Sequence, residues 1–490
     1  MTIKLLVLST AKKTNRYLDV MKEQAGDSLD VVLHFGDKTA HYKASSISRM
    51  KATRGSQGHI MEDRTYSGAA RDIIRSEDFY RSRDLFVEHL GRTTEEFKYK
   101  SHPLKAQTDL CNYYAIIADA MADEIRASGA THCLFFNVPH LAYDTMVYQV
   151  AKSMGIPITL VGQSLFPDRF FSAQDPMDYG AFKIDPDATP FHIEKGSRPD
   201  LFYMRGIKQE REEGGRITGK SLLQLLMFLL TKRPLQAFNP IYIWKTIARM
   251  RRVFAAFPKW RSPFARFFHE NELSYFEHLA KYEDQDVDLS GDFVYFPLQL
   301  QPEMTTATLG GQFRDQAFAI ERLSEILPEG VRILVKENPK QGAYMRGPVF
   351  FDRLDRIKNV TFLPSWADTH ALTDGAKFVA TITGTVGWEA IRTGKPALVF
   401  GKSWYRKLPG IHEYSENLTY EDIVSQPIDH AALETAMGSL LEKAHAGVLD
   451  RHFIGIVDDF DSDLNDQKVA AALLAILRGE TAHSFSSAAN

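Results

Sequence analysis

Twice along this chain a series of short apolar runs alternates with longer amphipathic stretches, and that pattern admits few folds. Runs of strand length at 3–8, 31–35, 132–137 and 158–161 are separated by helical spacing, clearest over 110–127 and 142–154. The alternation starts again near residue 293, with apolar runs at 293–296, 331–336, 360–362, 378–383 and 397–400 and helical patterns at 313–326, 367–374 and 385–393. Strands that alternate with helices build mainly parallel sheets covered on both faces. With 490 residues the chain is too long for one ordinary core and long enough for two. The expected fold class is therefore α/β, with Rossmann-like domains over 1–185 and 291–478. Residues 38–105 are polar and irregular and read as loops and helices at the edge of the first sheet. The tail 479–490, ending His-Ser-Phe-Ser-Ser-Ala-Ala-Asn, reads as disordered.

Between the two blocks lies a segment of another kind, expected as a helical insertion over 186–290. From 216 to 266 it carries eleven Lys and Arg residues and no Asp or Glu, with Phe228, Phe238, Tyr242, Trp244, Phe254, Phe257, Trp260 and Phe264 threaded among them. A solvated helix ordinarily mixes charge signs. One reading is an inter-domain brace with a basic outer face; the other is a surface that meets anionic lipid. No nucleic-acid motif accompanies the charge, so nucleic acid is not expected as a partner.

The bulk numbers exclude some classes. At 44% hydrophobic and 25% charged residues the composition is that of a globular protein, and the formal net charge of −3 gives no global bias toward nucleic acid. Cys111 and Cys133 have no metal-ligand spacing and cannot staple a chain of this size, so both read as buried apolar residues in a reducing compartment. The N-terminal apolar run is too short for a signal peptide, and the longest apolar stretch, 222–230, is far below the roughly 20 residues that span a bilayer. The expected location is cytoplasmic, with any membrane contact peripheral, on the inner membrane.

Three segments carry the chemistry. In Thr381-Ile-Thr-Gly-Thr-Val-Gly-Trp-Glu-Ala390 an apolar run enters hydroxyl and glycine residues and then opens a helix. Such a turn suits a phosphate: Gly384 permits close approach, Thr383 and Thr385 offer hydroxyls, and Glu389 falls one turn on, placed for a ribose diol. The alternative is a tight strand–helix turn with Glu389 as a first-turn charge. In Phe296-Pro-Leu-Gln-Leu-Gln-Pro-Glu303 a strand leads to Gln301 on the donor side and to Glu303, a carboxylate for base, nucleophile or oxocarbenium stabiliser, or else a helix cap. In Val335-Lys-Glu-Asn-Pro-Lys340, Lys336 and Asn338 suit a phosphate, or belong to a surface turn. In the first block His140 and Asp168 follow strand ends and could line an acceptor side; a lone histidine there is more often structural.

These segments, in this order, resemble the capsule-polysaccharide biosynthesis family of bacterial transferases, whose Kdo-transferring members carry a Gln-Pro-Glu and a later His-Pro motif. Gln301-Pro302-Glu303 matches the first, and Lys336-Glu337-Asn338-Pro339 is similar to the second, with asparagine for the usual histidine. The stretch Gly384–Ala390 and Gly394-Lys395-Pro396 match as well, so that the likeness runs best from about 293 to 409. The resemblance implies a GT-B plan, two Rossmann-like domains facing a cleft. It also implies a nucleotide-sugar donor, best a CMP-activated acidic sugar such as Kdo, and a glycan or lipid-linked acceptor of a bacterial surface polysaccharide or glycolipid. No metal or cofactor and a retaining reaction are implied too. Glu303 and His140 are then the expected catalytic residues, and Gln301, Lys336, Asn338, Thr383, Gly384, Thr385 and Glu389 the donor-binding set. A nucleotide-sugar epimerase or hydrolase and a non-catalytic assembly protein are the alternatives.

Overall fold

The first apolar run is strand β1 (Ile3–Leu8), and its side chains sort by the period of a strand. Ile3, Leu5 and Val7 enter one core with the helix Lys13–Ala25, while Leu6 and Leu8 enter another with the helices Gln107–Ser128 and Ala142–Ser153. A strand covered on both faces needs a near-continuous apolar run, which is why the sequence signal was strong here. Around β1 the computed structural model assembles β2 (Leu29–Phe35), β3 (His132–Phe135), β4 (Ile158–Gln163) and β5 (Arg169–Ala173). A two-residue strand, His445–Ala446, completes the sheet beside β5. The order runs β5, β4, β3, β1, β2, parallel from β4 to β2 and antiparallel at β5. The structure describes residues 2–9, 12–36, 40–47, 71–77, 82–88, 107–199, 219–232, 234–254, 270–301, 303–342 and 345–487. Most of 38–105 lies outside them, as do Arg216, Arg233, Lys259, Arg261, Arg266 and Pro302.

The second sheet is wholly parallel: β6 (Phe293–Pro297), β7 (Arg332–Lys336), β8 (Val360–Leu363), β9 (Val379–Thr381), β10 (Ala397–Val399) and β11 (Ile411–Glu413). Its order is β11, β10, β9, β6, β7, β8. Counted within the sheet this is the doubly wound 3-2-1-4-5-6 arrangement, and strand order reverses between β6 and β9. Two Rossmann-like α/β units, the pair required by the GT-B plan, are thus present in one chain.

Contacts divide the chain into Met1–Phe191, Ala307–Leu309 and Glu434–Asn490 as one unit, and His192–Thr306 with Gly310–Leu433 as the other. Three sequence boundaries shift accordingly. The expected second domain ran to 478, but the helix Ser462–Leu477 buries Val469, Ala470, Leu473, Leu474 and Leu477 against β1's core in the first unit. Hydrophobic spacing marks a helix without saying which sheet it covers. The basic insertion does not stand apart either: Leu229, Ala237, Met250, Tyr275 and Leu279 join the second unit's core.

The tail is the third correction, since it packs through residue 487. The Phe485 ring is fully buried, 4.8 Å from Phe171 and 4.9 Å from Tyr179 between centroids, and Ser484 and Ser172 exchange hydrogen bonds of 3.1 Å. One phenylalanine among small polar residues is too weak a compositional signal to see. Among the described residues no helix is long and apolar enough to cross a membrane.

Candidate active site

In a doubly wound sheet the ligand crevice lies beyond the carboxyl ends of the strands, at the reversal of order. Here that point lies past β6 and β9, and the two most informative sequence segments meet there. After β6 ends the chain continues through Gln299 to Gln301, and it finds backbone partners on side chains. The buried amide of Gln316 accepts from Gln299 N–H (2.8 Å) and donates to Gln299 C=O (2.9 Å). The buried amide of Gln341 does the same for Gln301, at 2.8 Å in both directions. Each glutamine acts as a substitute peptide unit and pairs both the N–H and the C=O of one residue beyond the strand's end.

Beneath this stretch lies Arg346, wholly buried, with its Nε 2.8 Å from Oε2 of the equally buried Glu337. Its two terminal nitrogens donate to Gln299 C=O (3.1 Å) and to Gln301 Oε1 (3.3 Å), and its guanidinium lies 4.5 Å from the Phe350 ring centroid. Gln301 also accepts from Gln316 (2.9 Å) and donates to the Arg314 carbonyl. The sequence reading put Gln301 on the donor. The structure instead buries it inside this network, where it positions the loop.

The Thr383–Thr385 turn is tied to the same loop. Gln299 Oε1 accepts from Thr383 N–H at 2.8 Å, Thr381 Oγ1 accepts from Gly384 N–H at 3.2 Å, and the Thr383 hydroxyl donates to Thr305 C=O at 3.1 Å. Thr383 is therefore an internal brace, its hydroxyl is not turned to a phosphate, and the N–H groups of Thr383 and Gly384 are both engaged within the protein. Gly384 is required by space: a Cβ there would lie 2.8 Å from Thr381 Oγ1 and 3.2 Å from Gln299 Cδ. Gly384 and Thr385 are half-buried at the crevice. Glu389 sits one turn into the helix Val386–Arg392, where it accepts from the Thr385 hydroxyl at 3.3 Å. Burial pushes its carboxyl above the ordinary range, against the opposing pull of Thr385, Arg198 and Arg392.

Glu303 is exposed at the start of the short helix Met304–Ala307, its carboxylate accepting from Thr305 Oγ1 at 3.2 Å. That partner is a side-chain hydroxyl and not a helix N–H, so the contact is not a cap, and the carboxylate is exposed to solvent. At the end of β7, Lys336 Nζ donates to Thr369 Oγ1 (2.6 Å) and Ala367 C=O (3.1 Å), which ties it to the loop after β8. Asn338 closes a turn by accepting from Lys340 N–H at 2.9 Å. In the first unit His140 places its Nδ1 2.8 Å from Val138 C=O, a contact in which Nδ1 donates. Asp168 is an exposed residue of the β4–β5 turn, where its carbonyl accepts from Gly447 N–H at 2.8 Å.

One feature was not singled out from the sequence. After β10 the loop Gly401-Lys-Ser-Trp-Tyr-Arg-Lys407 gathers Lys402, Arg406 and Lys407 around Glu413, at 3.6, 2.9 and 2.8 Å. Burial would raise the Glu413 carboxyl, but Lys407 and Arg406 more than offset this and hold it below the usual range. Three cations on one carboxylate leave a surplus of positive charge at the sheet's carboxyl edge. The Tyr405 hydroxyl fastens the loop to the crevice by donating to Gly384 C=O.

Residues 272–431 match the sequence model of the family described as capsule polysaccharide biosynthesis protein, so the resemblance read from the motifs holds over that segment. No curated protein matches the chain in sequence. Among solved structures, the beta Kdo 2,7 transferase of Thermosulfurimonas dismutans KpsC is 10% identical, covering 72% of this chain and 88% of that one, with a TM-score of 0.31. The beta Kdo 2,4 transferase of the same protein is 13% identical over 63% and 79%, at 0.26. A UDP-GlcNAc 2-epimerase from Methanocaldococcus jannaschii, in complex with UDP-GlcNAc and UDP, is 10% identical over 98% and 100%, at 0.25. Overlap at these scores is too loose to assign an activity.

Proposed function

We propose that this chain is a glycosyltransferase of capsule polysaccharide biosynthesis whose second unit holds a nucleotide-sugar donor. One observation carries the reading: the Gln299–Gln301 loop and the turn around Gly384, which belong to the family-matched segment, are hydrogen-bonded together at the switch point of a doubly wound sheet. The donor is a CMP-activated acidic sugar, Kdo or a relative. Thr385 takes its phosphate, with Gly384 leaving room for close approach beside it, Glu389 takes its ribose, and Lys336 and Asn338 border the crevice. The surplus charge of Lys402, Arg406 and Lys407 suits an acidic sugar. Glu303 acts at the anomeric carbon, by a retaining route that needs no metal or cofactor. The first unit presents the hydroxyl of a glycan or lipid-linked acceptor to His140, on the cytoplasmic face of the inner membrane.

Thermal denaturation of the full chain with CMP, UMP, UDP, GDP and CDP tests the donor. A ligand that binds only the folded form stabilises it by about 2.7 kcal/mol at a hundredfold excess over its Kd, and CMP is expected to raise Tm most. Glu389→Ala is expected to weaken CMP binding by about 1–3 kcal/mol, the cost of hydrogen bonds to a charged group. A parent chain that no nucleotide stabilises would sink the reading. Unchanged affinity in Glu389→Ala would remove only the ribose assignment.

A further inference from the structure

The described chain has fifteen large hydrophobic side chains exposed to solvent, and nine of them lie between residues 222 and 244. They occupy three consecutive helices of the second unit, Gly219–Lys232, Pro234–Ala237 and Pro240–Phe254. Four of the most prominent sit around the turns that join them, with Leu235 91% exposed, Phe238 80%, Trp244 69% and Ile241 65%, and Leu223, 60% exposed, lies on the first helix. A contiguous apolar surface of this kind marks an interaction site, because single exposed hydrophobics are otherwise scattered.

The third helix shows how the surface is held outward. Tyr242, Ile243, Ile247 and Met250 face the second unit's core, which leaves Ile241, Trp244, Lys245, Arg251 and Arg252 on the solvent side. Along that outer side the character changes in order: apolar and aromatic residues come first, and basic residues follow. Arg249 pairs with Glu277 of the helix Glu270–Glu283 and Arg252 with Asp284 just beyond its end, and both arginines remain about half exposed.

We infer that this surface is a docking site for an anionic lipid bilayer, with Leu235, Phe238, Ile241 and Trp244 entering the interface and Lys245 and Arg251 lying over the headgroups. Charge selects lipid over a second copy of the chain, because the exposed Lys245 and Arg251 beside the apolar residues have no ion pair among the described residues, and two such faces together would repel. Tryptophan and phenylalanine beside lysine and arginine is the composition of helices that lie in a membrane interface. Each basic residue near an anionic surface strengthens binding about fivefold, so a few together give reversible attachment that salt weakens. The inference does not depend on the donor site, since attachment needs no nucleotide and no turnover.

Flotation of the full chain with phosphatidylcholine vesicles and with vesicles containing phosphatidylglycerol tests it. The expected result is recovery on the anionic vesicles at low salt, with a partition coefficient at least about tenfold above that on neutral ones and a large drop at high salt. The pair Phe238→Ser with Trp244→Ser should lower anionic partitioning at least about tenfold through lost apolar insertion. Lys245→Glu with Arg251→Glu should remove the salt-sensitive part. Both pairs change exposed side chains, so unchanged thermal melts are expected to confirm that they fold. Absence from both kinds of vesicle, or flotation untouched by either pair, would overturn the inference. Concentration-dependent self-association that the serine pair abolishes would overturn it too, as evidence of a protein interface.

Discussion

Replacing Glu337 with alanine is expected to cost about 3–5 kcal/mol of folding stability, the penalty for leaving a buried charge without its partner. Arg346 is completely buried and directs its donors at Glu337, Gln299, Gln301 and the Met345 carbonyl, and among the described residues Glu337 is the only carboxylate paired with it. The same substitution loosens the loop that orders the Thr383 turn, because Gln299 serves both. Urea unfolding at constant m-value, without nucleotide, measures the loss. The double variant Glu337→Gln with Arg346→Met should recover a large part of it, since a buried pair replaced together is often nearly neutral. A single-variant loss below about 1 kcal/mol would show that water reaches Arg346 and that the pair is not the keystone of the site.

Glu303→Gln is expected to lower turnover by two or more orders of magnitude, roughly the contribution of one catalytic acid–base group, while folding and donor affinity change little. The expectation follows from exposure. The Glu303 carboxylate is exposed and accepts from the Thr305 hydroxyl, a hydrogen bond that the isosteric amide can keep while charge and basicity are lost. Single-turnover transfer from the donor that passes the nucleotide panel, beside nucleotide affinity, separates the outcomes. Full activity would remove Glu303 from the catalytic step, and a folded variant unable to bind donor would make it a binding residue.

The parts of this architecture legible in the sequence were those written locally. Strands β1, β6 and β7 are built on near-continuous apolar runs buried on both faces, and the turn at Gly384 announces itself by glycine and threonine between a strand and a helix. The shape of the site was not legible, because it depends on residues far apart in sequence. Gln316, Gln341 and Arg346 converge on Gln299 and Gln301 from 15 to 47 positions away, and nothing in their local surroundings marks them as partners. For the same reason Gln301 and Thr383 read as ligands when they are braces: a polar residue at a strand's end looks alike whether it faces solvent or a buried amide. The loop 402–407 could have been found, since three cations immediately follow the 397–400 run, but its anchor Glu413 becomes visible only once β11 lies beside β10.

The return of the chain to its first unit sets a timetable for synthesis. The first unit's sheet is complete up to β5 well before residue 191, yet the helix that covers β1 beside Lys13–Ala25 belongs to residues 462–477. The ribosome must deliver the whole second unit in between, which takes about 10–50 s at ordinary elongation rates. Through that interval Leu5 and Val7 lie on a face without its final cover, while the second unit can already close around its own parallel sheet. The nascent chain thus matures from the inside outward, and a chaperone that shields apolar strands is needed longest by the segment made first.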